Sequence, residues 1–196
     1  QHITAQTIKE TSIKLKFPLV LKLLSNTVIH KTDYGAISIG IKSKRELIKK
    51  IHAMSLNLKA ALQDEFSDHF LIEEMKASPI AEMMIGIQND QQFGYSLLLG
   101  SGGTQAEIMR DTTTILLPTN KSEIIRSIKQ LRLFSLINGF RGNDIVDLEK
   151  LSSSILDITK LFDDNKECIS SLEINPLFVY QNSSCAVDAV ISSGKD

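Results

Sequence analysis

Apolar residues recur along the chain with two different spacings. Residues 19–24 form a nearly continuous apolar run interrupted by Lys22, which is typical of a strand buried on both faces. Residues 36–41 alternate with period two, which also indicates a strand. The same reasoning predicts further strands at residues 70–75, 80–87, 94–99, 172–180 and 185–191, the last two as a hairpin.

Helical spacing marks other segments. Ser43 followed by Glu46 is a capping-box signature, and apolar residues continue at helical spacing to about residue 63. Further helices are predicted at residues 120–131 and 146–162, and residues 7–16 resemble the second half of a helix. Because helices and strands are mixed, the fold class is predicted as α/β or α+β.

Residues 76–79 separate two groups of elements, and their Ser-Pro step is typical of a hinge. A chain of 196 residues has room for two lobes with their own cores. We therefore expect a first lobe over residues 1–77 and a second over residues 78–196. Since the chain begins with Gln1 and not Met, it is interpreted as a processed chain or a fragment of a longer one.

The charge balance narrows the choice of partners. With 22 basic and 23 acidic residues the net charge is −1, so the overall field favours neither nucleic acid nor an anionic membrane. No apolar run approaches the roughly 20 residues of a membrane helix. The two cysteines, Cys168 and Cys185, are expected to be buried, reduced thiols of a cytoplasmic protein.

A lysine within a buried strand needs an anionic neighbour. Lys22 is such a residue, and a polar segment with His30 and Lys31 follows it. Lys22 is therefore expected to contact an anion or a cleft, or else to pair with an internal carboxylate or extend to solvent. His30 is open to two interpretations, a phosphate-carrying nucleophile or an ordinary loop histidine.

Two later segments could bind a nucleotide and its metal. The glycine-rich residues 100–103 follow a strand, where backbone N–H groups can bind phosphate, although a plain turn has the same composition. Glu173 and Asn175 share one face of a strand, and a hairpin can bring Asp188 beside them. Carboxylate and amide oxygens suit Mg²⁺, and the alternative is a solvated sheet edge.

Acidic residues near the hinge form a further candidate group. Glu73 and Glu74 end a predicted strand, and Glu82 follows the hinge. One of these carboxylates could accept hydrogen bonds from a ribose hydroxyl or an adenine amine, or all could lie at a solvated strand end.

Seven short segments, in order along nearly the whole chain, resemble one family. This family is the ATP-grasp domain of NDP-forming acyl-CoA synthetases, which includes ADP-forming acetate–CoA ligases and fused protein acetyltransferases. The nucleotide-binding subunit of succinyl-CoA synthetase is a more distant relative. The matching segments are FPLVLK at 17–22, HKTDYG at 30–35, QFG at 92–94, Gly102-Gly103 with Glu107 and Asp111, GFRG at 139–142, LEINPL at 172–177 and AVDA at 186–189.

The resemblance implies an ATP-grasp fold of two lobes with a nucleotide cleft between them, and a role for each candidate. In the first lobe it implies that Lys22 binds phosphates, that Lys31 belongs to the nucleotide site, that Glu74 and Met75 meet the adenine, and that His30 takes part in a phosphate relay. The second-lobe candidates are Glu82 for the ribose, Gly102 and Gly103 for the nucleotide, Asn175 and Asp188 for Mg²⁺, and Glu173 to steady a phosphohistidine on a partner domain.

The implied activity is that of an acid–thiol ligase using ATP or ADP with Mg²⁺. CoA-binding and ligase domains carrying the phosphohistidine, with a small acid and CoA as substrates, would complete a catalytic unit of which these residues are one part. Ala36 stands where the family has Gly, and Ile115 where it often has Arg. These departures leave open a regulatory domain fused to a protein lysine acetyltransferase with weakened nucleotide binding, and more remotely a carboxylate–amine ligase.

Overall fold

The computed structural model describes residues 1–25, 31–63, 66–103 and 110–193. The chain folds into two compact units, Gln1–Ala77 and Ser78–Asp196. Each unit contains its own antiparallel sheet and its own cluster of buried apolar side chains. In the described residues, no helix is both long and apolar enough to cross a membrane.

The first unit is built on a four-stranded antiparallel sheet with strand order β1-β4-β2-β3. Its strands are β1 (His2–Thr4), β2 (Leu19–Leu23), β3 (Ile37–Ile41) and β4 (His69–Glu74). Three of the four match predicted strands. His2 begins β1, the strand that was not predicted, and pairs with Leu71.

A long helix, α1 (Lys44–Leu62), covers one face of this sheet. It begins as its capping residues predict, because the Ser43 hydroxyl accepts a hydrogen bond from the Glu46 backbone N–H at 3.2 Å. Its buried stripe packs with the alternate strand residues that face it, including Leu21, Phe70 and Ile72. The stripe consists of Leu47, Ile51, Met54 and Leu58.

The second unit contains a larger antiparallel sheet with strand order β10-β8-β5-β6-β7, in which β9 also pairs with β8. Long strands β5 and β8 lie at its centre, and each coincides with a predicted strand apart from small shifts at its ends. The strands are β5 (Ala81–Asp90), β6 (Gly94–Ser101), β7 (Thr112–Leu116), β8 (Ile169–Val179), β9 (Ser184–Ala186) and β10 (Ala189–Ser193).

Helices cover one face of this sheet. They are α2 (Lys121–Ile128), α3 (Phe134–Ile137) and α4 (Leu148–Asn165), and a short 3-10 turn, Phe140–Gly142, follows α3. Side chains of α2 and α4, such as Ile124 and Phe162, pack against the buried residues of the central strands. The opposite sheet face is where the polar residues of β5 and β8 lie, since side chains alternate along a strand.

Some predictions were wrong. Residues 7–16 form turns and irregular backbone, because three apolar positions are too few to stabilise a short helix. Strand β7 and helix α3 were not predicted, although the β-branched run at 112–115 is a strand signal. Cys168 is exposed and Cys185 is half-buried, so the prediction that both thiols are buried was also wrong.

Candidate functional site

Lys22 is paired within its own unit. Its ammonium nitrogen lies 2.7 Å from a carboxylate oxygen of Glu73, and the side chains are 5% and 42% exposed, respectively. In the β2–β4 pair, Val20 is opposite Glu73 and Lys22 is opposite Leu71, so the ion pair is formed diagonally on one sheet face. Of the possibilities raised by the sequence, pairing with an internal carboxylate is what the structure shows.

The other first-unit candidates lie in three places. Glu74 ends β4, and its carboxylate accepts a hydrogen bond from the Lys16 backbone N–H at 2.9 Å. Met75 is exposed, and its backbone N–H donates to the Pro18 carbonyl. Lys31 lies in the turn before β3, while His30 is outside the described residues.

In the second unit, three candidates meet at Gly103. The Gly103 N–H donates to the Asn175 side-chain oxygen at 2.9 Å, and a Cβ added at Gly103 would collide with the Glu82 carboxylate. The pairing of β5 with β8 changes register between Met83 and Ile85, because Met83 pairs with Leu177 while Ile85 pairs with Ile174. This leaves Met84 opposite two β8 residues, an arrangement that re-aims side chains locally.

The glycine-rich segment differs from the predicted loop. Gly100 and Ser101 belong to strand β6. The Gly102 N–H donates to the Glu82 carbonyl at 2.8 Å, and the Gly103 N–H is bonded to Asn175. Both N–H groups therefore already have protein acceptors, so the expected phosphate binding through these N–H groups does not fit this conformation.

Asp188 lies next to Asn175 in the structure. The Asn175 backbone N–H donates to the Asp188 backbone carbonyl at 3.1 Å, and an Asp188 carboxylate oxygen accepts from the Ala189 N–H at 3.1 Å. The tertiary structure thus brings together two residues chosen from the sequence as metal ligands. Glu173 is exposed on β8 and pairs with Val190 of β10 and Gly86 of β5.

The side-chain oxygens of Asn175 and Asp188 are ligands of the kind that bind magnesium. An amide oxygen has two lone pairs and a carboxylate about four acceptor positions, so each of these side chains can bind more than one partner. No group of three or more His, Cys, Asp or Glu side chains within the described ranges forms a metal cluster. Mg²⁺ is often held by one or two protein carboxylates, with phosphate oxygens and water completing its coordination.

Asp111 is buried in the second unit, and no structural role was predicted for it from the sequence. Its carboxylate accepts hydrogen bonds from the Ser101 hydroxyl at 2.7 Å, the Arg132 N–H at 2.8 Å and the Leu133 N–H at 3.0 Å. Burial by itself would raise the pKa of Asp111, but these hydrogen bonds outweigh it and hold the pKa below its ordinary value. Asp111 thereby joins the end of β6 to the start of α3.

Packing explains the two departures from the family pattern. Ala36 is fully buried in the first-unit core, and its N–H donates to the Lys31 carbonyl at 2.8 Å. It is not among the described residues with positive φ, so no glycine is required there. Ile115 is buried in the second-unit core, where an Arg would be costly. Both residues are therefore accommodated by the packing of their own units.

Comparison with known proteins places the chain in a family. Residues 2–192 match the model of an ATP-grasp domain family. The chain is 32% identical over 174 residues to the beta subunit of acetate–CoA ligase [ADP-forming] II from Pyrococcus furiosus, covering 89% of this chain and 73% of that subunit.

Two solved structures of an acetyl-coenzyme A synthetase from Ca. Korarchaeum cryptofilum are also similar. One, in complex with coenzyme A, Ca-AMPCP and HgCl⁺, has a TM-score of 0.88 and 28% identity, over 98% of this chain and 85% of that chain. The other, with coenzyme A and Mg-AMPPCP and a phosphohistidine segment pointing towards the nucleotide binding site, has a TM-score of 0.78 and 26% identity, over 98% and 84%.

These similarities confirm the mixed α/β class and the ATP-grasp fold expected from the sequence. They extend over nearly the whole chain, and the sequence and structure comparisons point to the same group of ligases. The chain belongs to the ATP-grasp domain family and is homologous to the beta subunits of ADP-forming acetate–CoA ligases.

Proposed function

We propose that this chain is the Mg-nucleotide-binding part of an ADP-forming acyl-CoA synthetase. In this proposal a phosphoryl group passes between the nucleotide and a phosphohistidine on a partner domain. The observation that carries it is the juxtaposition of Asn175 and Asp188, joined by a 3.1 Å backbone hydrogen bond, because these are hard oxygen ligands of the kind Mg²⁺ prefers. When bound, Mg²⁺ offsets negative charge on phosphate oxygens.

Within the second unit, each residue has a distinct task. Asn175 and Asp188 hold the metal, and Gly103 fixes the orientation of the Asn175 amide through its N–H. Glu82, whose side chain lies against Gly103, accepts hydrogen bonds from the ribose. Glu173 is exposed on its strand and steadies the incoming phosphohistidine. Catalysis then depends on positioning and charge neutralisation, as is general for phosphoryl transfer.

The first unit contributes residues for the remainder of the nucleotide. Lys22 and Lys31 bind phosphate oxygens, and Glu74 and Met75 contact the adenine at the end of β4. His30 takes part in the phosphate relay as a nucleophile, a role that requires a neutral imidazole. These assignments rest on the family resemblance of the segments that contain them.

The partners follow from the same proposal. CoA-binding and ligase domains, in the same chain or a separate subunit, supply the phosphohistidine and bind CoA and a small acid. Acetate is the default acid, because the Pyrococcus furiosus relative is an acetate–CoA ligase, although a shared fold does not by itself fix the substrate. We place the protein in the cytoplasm, where free thiols such as those of Cys168 and Cys185 persist.

Calorimetric titration with ATP, with and without Mg²⁺, tests the proposal. The wild type should bind ATP in a Mg²⁺-dependent manner, and Asp188→Asn should weaken that binding at least about tenfold, the cost of a charged contact of about 1.4 kcal/mol or more. Asp157→Asn, which removes the same charge from the exposed surface of α4, should leave the affinity unchanged.

Lys22→Met and Lys49→Met provide the corresponding pair in the first unit, since Lys49 is an exposed residue of α1. Only the Lys22 variant should lose affinity. A folded wild type that does not bind Mg-ATP up to millimolar concentration would contradict the proposal and favour a regulatory domain. Unchanged affinity in Asp188→Asn would remove Asp188 from the metal site.

A further inference from the structure

The ion pair between Lys22 and Glu73 is asymmetric in its exposure. The Lys22 side chain is 5% exposed, whereas the Glu73 side chain is 42% exposed, and their charged atoms are 2.7 Å apart. A buried ammonium group without a counter-charge costs several kcal/mol, so Glu73 stabilises Lys22 in its buried position. Solvent reaches the carboxylate much more readily than the ammonium.

The pair lies on the sheet face opposite the core. Lys22 alternates along β2 with Leu21 and Leu23, which are fully buried in the first-unit core. Glu73 alternates along β4 with Ile72, which is buried in the same core. Strand geometry therefore directs Lys22 and Glu73 away from α1, to the opposite face of the sheet.

An anion that approaches Lys22 on this face also meets the Glu73 carboxylate. At a separation of a few ångströms two like charges repel strongly in a partly desolvated environment. A phosphate oxygen must therefore either share the ammonium with Glu73 or replace Glu73 as its partner. The Lys22 ammonium has three N–H donors, so both arrangements are chemically feasible.

We propose that Glu73 is a positioning residue that holds the Lys22 ammonium in the nucleotide-free protein and exchanges this partner for nucleotide phosphate on binding. This rests on the proposed function, in which Lys22 binds phosphate. Glu73 then has two opposite effects, because it stabilises the free protein and competes with the nucleotide. A residue with a merely structural role would affect stability and affinity in the same direction.

The test compares Glu73→Gln with Glu10→Gln, which removes one negative charge from an exposed position of the same unit. Thermal unfolding and calorimetric titration with Mg-ATP are measured for both variants and for the wild type. Glu73→Gln should unfold at a lower temperature than the wild type without nucleotide, yet bind Mg-ATP about tenfold more tightly. Its unfolding temperature should consequently rise more on adding Mg-ATP.

A second pair of variants keeps the test decisive if Glu73→Gln folds poorly. Replacing both partners of a buried ion pair by neutral residues is often tolerated, so Lys22→Met/Glu73→Gln should fold. If Glu73 acts through Lys22, this double variant should bind Mg-ATP within about twofold of Lys22→Met alone, as expected when the pair acts as a unit. Glu73→Asp, which keeps the charge, should restore the wild-type affinity.

The outcomes separate the two proposals. If the wild type binds Mg-ATP and Glu73→Gln binds with the affinity of Glu10→Gln, or more weakly, the partner exchange is wrong while the proposed function stands. Tighter binding that persists equally in the Lys22→Met background would likewise overturn it, because Glu73 would then act independently of Lys22. A wild type that does not bind Mg-ATP would overturn the proposed function itself.

Discussion

The backbone N–H of Gly103 donates a 2.9 Å hydrogen bond to the side-chain oxygen of Asn175, although the two residues are 72 positions apart. This bond joins the segment after β6 to the middle of β8. It also fixes the orientation of the Asn175 amide, because its oxygen must face the Gly103 donor. The bond therefore connects the glycine-rich segment to the proposed metal ligands.

Gly103→Ala should disturb this arrangement in two ways. Gly103 has a φ of +74°, which an L side chain adopts at a cost of about 1 to 2 kcal/mol. Its added Cβ would also collide with the Glu82 carboxylate. We expect lower stability and at least about tenfold weaker Mg-dependent ATP binding, because Glu82 and Asn175 both shift. Urea unfolding and calorimetry measure the two effects.

Gly94→Ala is the matched control for that variant. Gly94 has a similar φ of +79°, but nothing lies within 4 Å of its added Cβ. It should show the backbone strain without the loss of nucleotide affinity. Equal affinity in the two alanine variants would contradict a positioning role for Gly103.

Asp111→Asn should destabilise the second unit. The carboxylate accepts three hydrogen bonds. In the asparagine variant an NH₂ group replaces one of the two accepting oxygens, and it cannot accept these bonds. We expect a decrease in the free energy of unfolding of about 1.5 to 3 kcal/mol, the range for hydrogen bonds to charged groups. Urea unfolding checks this value, with Asp157→Asn on the surface of α4 expected to stay within about 0.5 kcal/mol of the wild type.

The stabilisation by Asp111 should depend on pH with a defined sign. Its folded pKa lies below the ordinary value of 3.8, so the unfolded chain takes up a proton more readily than the folded one. The contribution is therefore fully present above the unfolded pKa and is lost as the pH falls through the folded pKa. The stability difference between the wild type and Asp111→Asn should be constant from about pH 7 to 5 and shrink below about pH 4. A difference unchanged down to about pH 3 would argue against a charged Asp111.

His30→Ala tests the proposed relay in the complete synthetase. Nucleotide affinity should stay within about twofold of the wild type, because the phosphates are bound by lysines in this proposal. Phosphoryl transfer between the nucleotide and the phosphohistidine of the partner domain should slow at least about a hundredfold, as is common when a reacting imidazole is removed. Rapid-quench kinetics measure the rate of phosphoryl transfer, and His52→Ala on the exposed side of α1 is the control. Equal turnover in the two variants would exclude His30 from the relay.

Local signals in the sequence were sufficient to predict several helices and strands. Ser43 and Glu46 start α1 within one residue of the prediction, because a cap depends on hydrogen bonds between neighbouring residues. Strand β2 followed from its apolar run. Strand β7, by contrast, is rich in threonine and lies at the edge of its sheet, where pairing with β6 and packing of Ile115 decide its conformation.

One proximity expected from the sequence is found in the structure, since Asn175 and Asp188 lie together. Their partners could not be read from the sequence. The expected free N–H groups of Gly102 and Gly103 are bonded to Glu82 and Asn175. Asp111 was recognised only as part of a motif, and its role became apparent when the structure brought Ser101 and the start of α3 against it.

The sequence by itself determined the periodicities, the main helix caps and the motif order that identify an ATP-grasp domain, because these depend on residues close together along the chain. Only the tertiary structure decided that Glu73 neutralises Lys22 and that Gly103 orients Asn175. Those contacts depend on strand register and on a shifted pairing between β5 and β8. Register is set by the packing of whole sheets, which brings distant residues together and has no signature in any short segment.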